Sequence, residues 1–323
     1  MSVRTLSVGD DESGLRLDRW FRRHFPGLPH GRLEKLLRSG QIRVDSARAR
    51  ANTRLQAGQR VRVPPLGDWT AAPPIRSVID PHDAQALTES VLYRDDDIVV
   101  INKPPGLAVQ GGSGVSRHLD GMLDVLRFGA RERPRLVHRL DKDTSGALVL
   151  AGNANSAARL AAAFRDRSVR KYYWALVVGN PSVPFGEVDI PLSKKSGRFG
   201  EKVVAGDGRD ARTRYAVIES AGREASWLVL ELVTGRTHQL RAHLAAIGTP
   251  IQGDGKYGGR AAFLMAKEVA PRLHLHAREV HLERPGGRFL QVKAPLPDHM
   301  ASTWAFFGFD PNLRSNSLVD GEG

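Results

Sequence analysis

The chain reads as an α+β protein in two parts, a small basic one followed by a larger one. Three observations carry this reading. Amphipathic helical segments and short alternating strands crowd residues 13–65. A stretch with Pro73, Pro74 and Pro81 and scattered polar residues then breaks the pattern over 66–88, as a linker does. Beyond it, strands and helices intermix without the regular alternation of a doubly wound sheet. The domain boundaries expected are therefore 1–65, a linker over 66–88, a main domain over 89–309, and a loose polar tail over 310–323.

Each element has its own signal. Over 17–25, Leu17, Trp20, Phe21, His24 and Phe25 share one helical face, and Arg16, Arg19, Arg22 and Arg23 share the other. One helix later, Leu33, Leu36 and Leu37 oppose Arg32, Lys35 and Arg38, and Gly40 supplies a stop. Residues 41–45 and 60–63 alternate as short strands. In the main domain, 98–102 is a short apolar strand ended by Lys103-Pro104-Pro105-Gly106. Residues 146–151, 173–178 and 227–232 read as strands, and 155–164 and 239–246 as helices.

Composition narrows the function. The 323 residues are 41% hydrophobic and 26% charged, a globular balance. No apolar run approaches the roughly 20 residues of a membrane helix. The first residues, MSVRTLSVGDDESG, lack the apolar core of an export signal, so a cytoplasmic location is expected. Without cysteine there are no disulfides, thiolate chemistry or cysteine-based zinc sites. The formal charge of +13 points to a polyanionic partner. Residues 13–65 hold 13 Lys and Arg against 3 Asp and Glu, so most of the excess sits in that segment. A solvated face normally mixes signs, so two nearly pure basic helix faces read as a nucleic-acid surface.

Two clusters carry chemistry. The first, His138-Arg139-Leu140-Asp141-Lys142-Asp143-Thr144-Ser145-Gly146, is a polar loop against an apolar strand. A neighbouring cation favours the ionised carboxylate, and an ionised carboxylate in a partly dry site is a nucleophile. A capped turn formed by Asp143, Thr144 and Ser145 is the alternative. The second, Thr234-Gly235-Arg236-Thr237-His238-Gln239-Leu240-Arg241-Ala242-His243, bunches its polar groups where a strand ends and a helix starts. It suits either an anion site at a helix start or a salt-bridged surface. His238 and His243 are badly spaced for one helical face, and the pair His274 and His276 lacks a third ligand, so no metal is expected. No P-loop or dinucleotide fingerprint is present, so no cofactor is expected.

Taken together, the clusters resemble the RNA pseudouridine synthases typified by the large-subunit ribosomal enzymes A, C and D. The HRLD motif with its following SG is matched at 138–146, and GRTHQ-[IL]-R-x-H at 235–243. The Lys-x-Tyr-x-Ala-Leu-Val pattern is matched at 171–177, and N-K-P-x-G at 102–106. The likeness runs from about Val91 to Pro297. The segments 16–45 and 57–65 are similar to the RNA-binding domain of the ribosomal protein S-four type. Gln110-Gly111-Gly112-Ser113-Gly114 resembles the H-G-G-S-G segment of the type C enzyme.

The resemblance implies a mixed, largely antiparallel sheet flanked by helices and loops, and site-specific isomerisation of uridine in RNA, large-subunit ribosomal RNA being favoured. A tRNA or other ribosomal site, a non-catalytic RNA-binding assembly factor, and a nucleoside hydrolase or glycosylase that stops after bond cleavage are the alternatives. It implies Asp141 as the catalytic aspartate, Tyr173 packing on the target base and able to move a proton, and Arg241 paired with Asp141. Arg139 would take the place of the flipped base. Lys103, His138 and Asp143 would shape the site, with a purely structural role the favoured reading for each. RNA contacts would come from Arg139 and from Arg16, Arg19, Arg22, Arg23, Arg32, Lys35 and Arg38. The implied chemistry needs one carboxylate, attacking C1′, adding to C6 or taking the C2′ proton, and base flipping at a cost of a few kcal/mol. A monomer is expected.

Overall fold

The computed structural model describes residues 3–66, 79–111, 115, 117–197, 200–284 and 286–313. They fall into two compact units, one up to Asp80 and one from Pro81.

In the first unit the two expected helices form as α1 (Leu17–His24) and α2 (His30–Arg38). Their apolar faces are buried together: Leu17, Trp20, Phe21 and Phe25 from one segment, and Leu33, Leu36 and Leu37 from the other. They pack with a four-stranded antiparallel sheet of β1 (Arg4–Ser7), β2 (Arg43–Val44), β3 (Ala47–Arg48) and β4 (Arg60–Val63), in the order β1-β4-β2-β3. The strand expected over 41–45 is shorter because Asp45 and Ser46 take positive φ (47° and 67°) in the two-residue hairpin turn between β2 and β3. The strand β1, which shows no clear period in the sequence, is recruited by pairing with β4. Trp20 Nε1 donates to buried Glu12 Oε2 at 2.8 Å. Burial raises the Glu12 carboxyl, but hydrogen bonds from the Gly9 amide, His24 and Trp20 outweigh it and lower the group.

The second unit opens on α3 (Pro81–Glu89), so the linker read over 66–88 is corrected: its last residues are helical. Pro81 at the first helical position costs nothing there, which is why it starts a helix. Then follow β5 (Val91–Arg94), β6 (Ile98–Lys103), α4 (Leu119–Met122), β7 (Arg135–Leu136), β8 (Ser145–Ala151), α5 (Ala154–Arg165) and β9 (Arg170–Val178). After these come β10 (Phe185–Asp189), β11 (Leu192–Gly197), β12 (Gly200–Ala205), β13 (Arg212–Ala221), β14 (Ala225–Leu232) and α6 (Gln239–Ala246). The chain closes with β15 (Leu275–Glu283), β16 (Phe289–Lys293) and α7 (Asp298–Phe307).

Ten strands make one sheet, in the order β10-β13-β14-β9-β15-β8-β6-β5 with β16 on β15 and β7 on β8; β11 and β12 form a separate hairpin. The sheet is mixed but largely antiparallel, as expected: β15 and β8 run parallel, the other described pairs antiparallel. Its central strands are buried nearly throughout, which explains their apolar runs. Trp174, Trp227 and Trp304 lock α7 onto the sheet, with ring centroids 4.6 Å apart for the first two and 5.5 Å for the last two. Of the expected tail, 310–313 form a turn and Pro311 O accepts from Arg278 Nη2; residues 314–323 lie outside the described part. Among the described residues no helix is long and apolar enough to cross a membrane.

The parallel junction of β8 and β15 places the first motif. Gly146 pairs with Ala277 there, at φ 112°, and a Cβ would lie 2.3 Å from the Ala277 carbonyl oxygen. Only glycine fits so close an approach. The loop before it is thereby anchored to the sheet.

Candidate active site

Asp141 sits in the loop that joins β7 to β8. The loop's backbone is pinned from three sides. Thr144 N–H closes a turn onto Asp141 O at 3.2 Å. Gly106 N–H donates to Lys142 O at 2.9 Å, and the Lys103 ammonium donates to the carbonyls of Pro104, Leu107 and Lys142 at 2.8, 2.9 and 3.0 Å. Lys103 is fully buried, and that burial lowers it to about 7 against the opposing pull of Asp143 and Asp141. The N-K-P-x-G segment is thus the bracket of the Asp141 loop. On the other side, His138 Nε2 accepts from Val149 N at 2.8 Å and the ring stacks on Phe164 at 4.2 Å. Burial and the charge of Lys171 hold His138 down at about 3, so it acts as a neutral acceptor. Asp141 is partly exposed, while Lys142 and Asp143 are exposed.

The second motif divides by role. Gln239 Oε1 accepts from Thr234 Oγ1 and Arg236 N, and its amide donates to Arg212 O and Thr213 Oγ1, all within 3.0 Å. His243 spans from Thr213 Oγ1 to Ile190 O, both 3.0 Å away. These two residues fasten α6 to β13 and to the turn after β10. His238 precedes α6 with φ 52°, a left-handed conformation that is costly for histidine. That conformation turns its ring toward Asp141: His238 Nε2 is 3.7 Å from Asp141 Oδ1, and His238 Nδ1 is 2.7 Å from Tyr257 Oη.

Asp141, Tyr173, Arg241 and Arg139 line one cleft of about 450 Å³. Tyr173 projects from β9, buried; burial, and next the charge of Asp141, raise its phenol well above the ordinary value. Arg139 is exposed. Arg165, Arg167, Lys171 and Arg236 also line the cleft, so its wall is strongly cationic around one carboxylate. Burial lowers the Lys171 ammonium.

The expected pairing of Arg241 with Asp141 is corrected. Arg241 Nε and Nη2 grip Asp254 Oδ2 and Oδ1 at 2.8 and 2.7 Å, both residues buried. A buried guanidinium satisfies its fork best with a bidentate carboxylate, and Asp254 reaches it first. Asp141 is near enough to act on Arg241 electrostatically but makes no hydrogen bond with it. Asp254, Tyr257 and the placement of His238 are the surroundings of Arg241 and Asp141 that sequence reasoning missed. The available signal was the stretch Gly253-Asp254-Gly255-Lys256-Tyr257-Gly258, a charge and a phenol among glycines. Gly253 has φ 80°, and a Cβ there would lie 1.9 Å from Arg272 O. The close approach aims Asp254 at Arg241.

His274 and His276 point into the core. The first contacts Arg272 O and Thr303 Oγ1, the second Ser145 Oγ and Ala294 O. Both rings are fully used in structural hydrogen bonds. In the first unit, Arg19, Arg22, Arg32, Lys35 and Arg38 are exposed and make no ion pair among the described residues. Arg16 is bidentate to Asp18 at 3.1 and 2.6 Å, and Arg23 bonds Asp11 at 2.6 Å. The segment 112–114 lies outside the described residues.

The profile of the RNA pseudouridylate synthase family matches residues 97–246, which contain Asp141, Tyr173 and Arg241. The chain is 36% identical over 305 residues to the ribosomal large subunit pseudouridine synthase C of Escherichia coli strain K12, covering 92% of this chain and 94% of that one. The enzyme of the same name from Vibrio cholerae is 34% identical over 304 residues, with 92% and 95% covered. Among solved structures, human RNA pseudouridylate synthase domain containing 4 superposes with a TM-score of 0.58 at 31% identity, over 70% of this chain and 96% of that one. With these likenesses spanning the fold and both motifs, the chain belongs to the RNA pseudouridylate synthase family.

Proposed function

We propose that this enzyme isomerises uridine to pseudouridine in large-subunit ribosomal RNA, with Asp141 as its nucleophile. The observation that carries the reading is the convergence of Asp141, Tyr173 and Arg241 on one cationic cleft of about 450 Å³, a size typical of small-molecule sites. The relatives named for the ribosomal large subunit match more than nine-tenths of the chain, which favours that RNA.

The reaction breaks the N1–C1′ bond, turns the uracil, and joins C5 to C1′. The proton lost from C5 is balanced by one gained at N1, so no cofactor is consumed. Asp141 serves attack at C1′, addition at C6, or removal of the C2′ proton in this reading. Arg241, locked by Asp254, contributes fixed positive charge beside it. Tyr173 has a strongly raised phenol and stays protonated, so it packs on the base rather than taking the C5 proton. A water or another base takes that proton. The cleft's arginines and Lys171 hold the phosphates that flank an extruded nucleotide. The exposed basic faces of α1 and α2 supply sequence-independent grip on the RNA. We read the enzyme as a cytoplasmic monomer, which fractionation and light scattering check.

The deciding experiment maps pseudouridine in ribosomal RNA and tRNA from cells lacking the protein. Loss at large-subunit positions, restored by the wild-type gene and not by Asp141→Asn, is expected. Loss confined to tRNA, or restoration by Asp141→Asn, overturns the substrate or the nucleophile respectively.

A further inference from the structure

We propose that His238, held by Tyr257, is a positioning residue that orients the Asp141 carboxylate; the proposal rests on Asp141 being the nucleophile of a uridine isomerase. Donors and acceptors fix the arrangement. Val203 N–H, on β12, donates to Tyr257 Oη at 3.3 Å. The phenol has one hydrogen of its own. His238 Nδ1 lies 2.7 Å away and takes it. The hydrogen on the neutral ring is then at Nε2, facing Asp141 Oδ1 at 3.7 Å. The other tautomer would aim a lone pair at a carboxylate and leave the phenol hydrogen without an acceptor among the described residues.

Every link thus runs in one direction, from Val203 through Tyr257 and His238 to Asp141. At 3.7 Å the last link is electrostatic in the free enzyme, being longer than a hydrogen bond. It draws negative charge to Oδ1 and leaves Oδ2 for the uridine. The groups acting on His238 are Asp141, Arg241, Lys256 and Asp254, and burial lowers its basicity, which keeps the ring neutral. The left-handed backbone of His238, at φ 52°, supports the same reading. Such strain persists where the side chain's position is worth its cost. Tyr257 also places its ring against the Arg241 guanidinium, 5.0 Å from centroid to Cζ, so one residue organises both neighbours of Asp141.

The test is a cycle of His238→Ala, Tyr257→Phe and the double variant, assayed by tritium release from uracil-5-tritiated ribosomal RNA. Tyr257→Phe keeps the ring against Arg241 and removes only the hydroxyl. His238→Ala is expected to lower kcat about 3- to 10-fold, less than the loss of a full hydrogen bond to a charged group would give, with KM changed less than about twofold. Tyr257→Phe is expected to lower kcat by a smaller factor, and to cost nothing further in the His238→Ala background. His238→Gln, which retains an N–H donor, should recover part of the loss. Wild-type kcat in His238→Ala, or full multiplication of the two losses, overturns the proposal. If His238→Ala fails to fold, wild-type kcat in Tyr257→Phe overturns it instead. A wild-type enzyme that releases no tritium defeats the functional reading rather than this inference.

Discussion

Arg241, which lines the cleft, and Asp254 behind it are joined by two buried hydrogen bonds of 2.8 and 2.7 Å, thirteen residues apart in the chain. Removing one partner of such a pair leaves an uncompensated charge, at a cost of about 3–5 kcal/mol. Asp254→Ala is therefore expected to unfold at markedly lower urea concentration, and to lose activity because Arg241 is no longer held beside Asp141. A variant of wild-type stability would show that the pair is not a structural keystone.

Tyr173 separates stacking from proton chemistry. With a buried, protonated phenol, Tyr173→Phe keeps the aromatic face and is expected to retain most of its RNA affinity. Tyr173→Ala forfeits base stacking of about 1–3 kcal/mol, raising KM roughly 5- to 150-fold. The wild-type pH–rate profile should carry no limb from phenol ionisation at or below neutral pH. An acid limb, with activity falling as pH drops below a pKa near neutrality, that vanishes in Tyr173→Phe would make the phenolate the base.

Acid stability should be governed by buried histidines. Burial, before any charge effect, lowers His138 and His276 to about 3 and His274 to about 4. The unfolded chain binds their protons near the reference value of about 6.5. Their contribution is thus present above about pH 6.5 and is lost as pH falls toward their folded values. Each adds up to about 1.4 kcal/mol per pH unit to the acid slope. Urea melts between pH 5 and 8 should show this, and His276→Gln should flatten the slope by one proton. An unchanged slope would mean that His276 is protonated in the folded protein.

The basic helices make a salt prediction. Neutralising Arg22 or Arg38, both exposed and unpaired among the described residues, should lower the log–log salt slope of RNA binding by about 0.7–0.9 for each phosphate that the protein no longer neutralises. Neutralising Arg23, already bonded to Asp11, should change it less. Equal effects from all three would assign the grip to net charge rather than to particular side chains.

Local periodicity already contained both basic helices, the buried strands 146–151 and 227–232, and the limits of α6, because burial of an amphipathic face depends on the segment's own spacing. The likeness of 138–146 and 235–243 to family motifs singled out Asp141 and Arg241, and neither needed a third dimension. Helix α3 stayed hidden because Pro81 reads as a breaker unless its place at a helix start is known. The strand β1 stayed hidden because only β4 makes it a strand. The partner of Arg241 and the neighbour of Asp141 were decided by tertiary structure alone. A guanidinium takes the carboxylate that packing delivers, and here Gly253 delivers Asp254, while the left-handed turn at His238 brings an imidazole to Asp141. Such contacts join residues far apart along the chain, and no spacing within a motif encodes them.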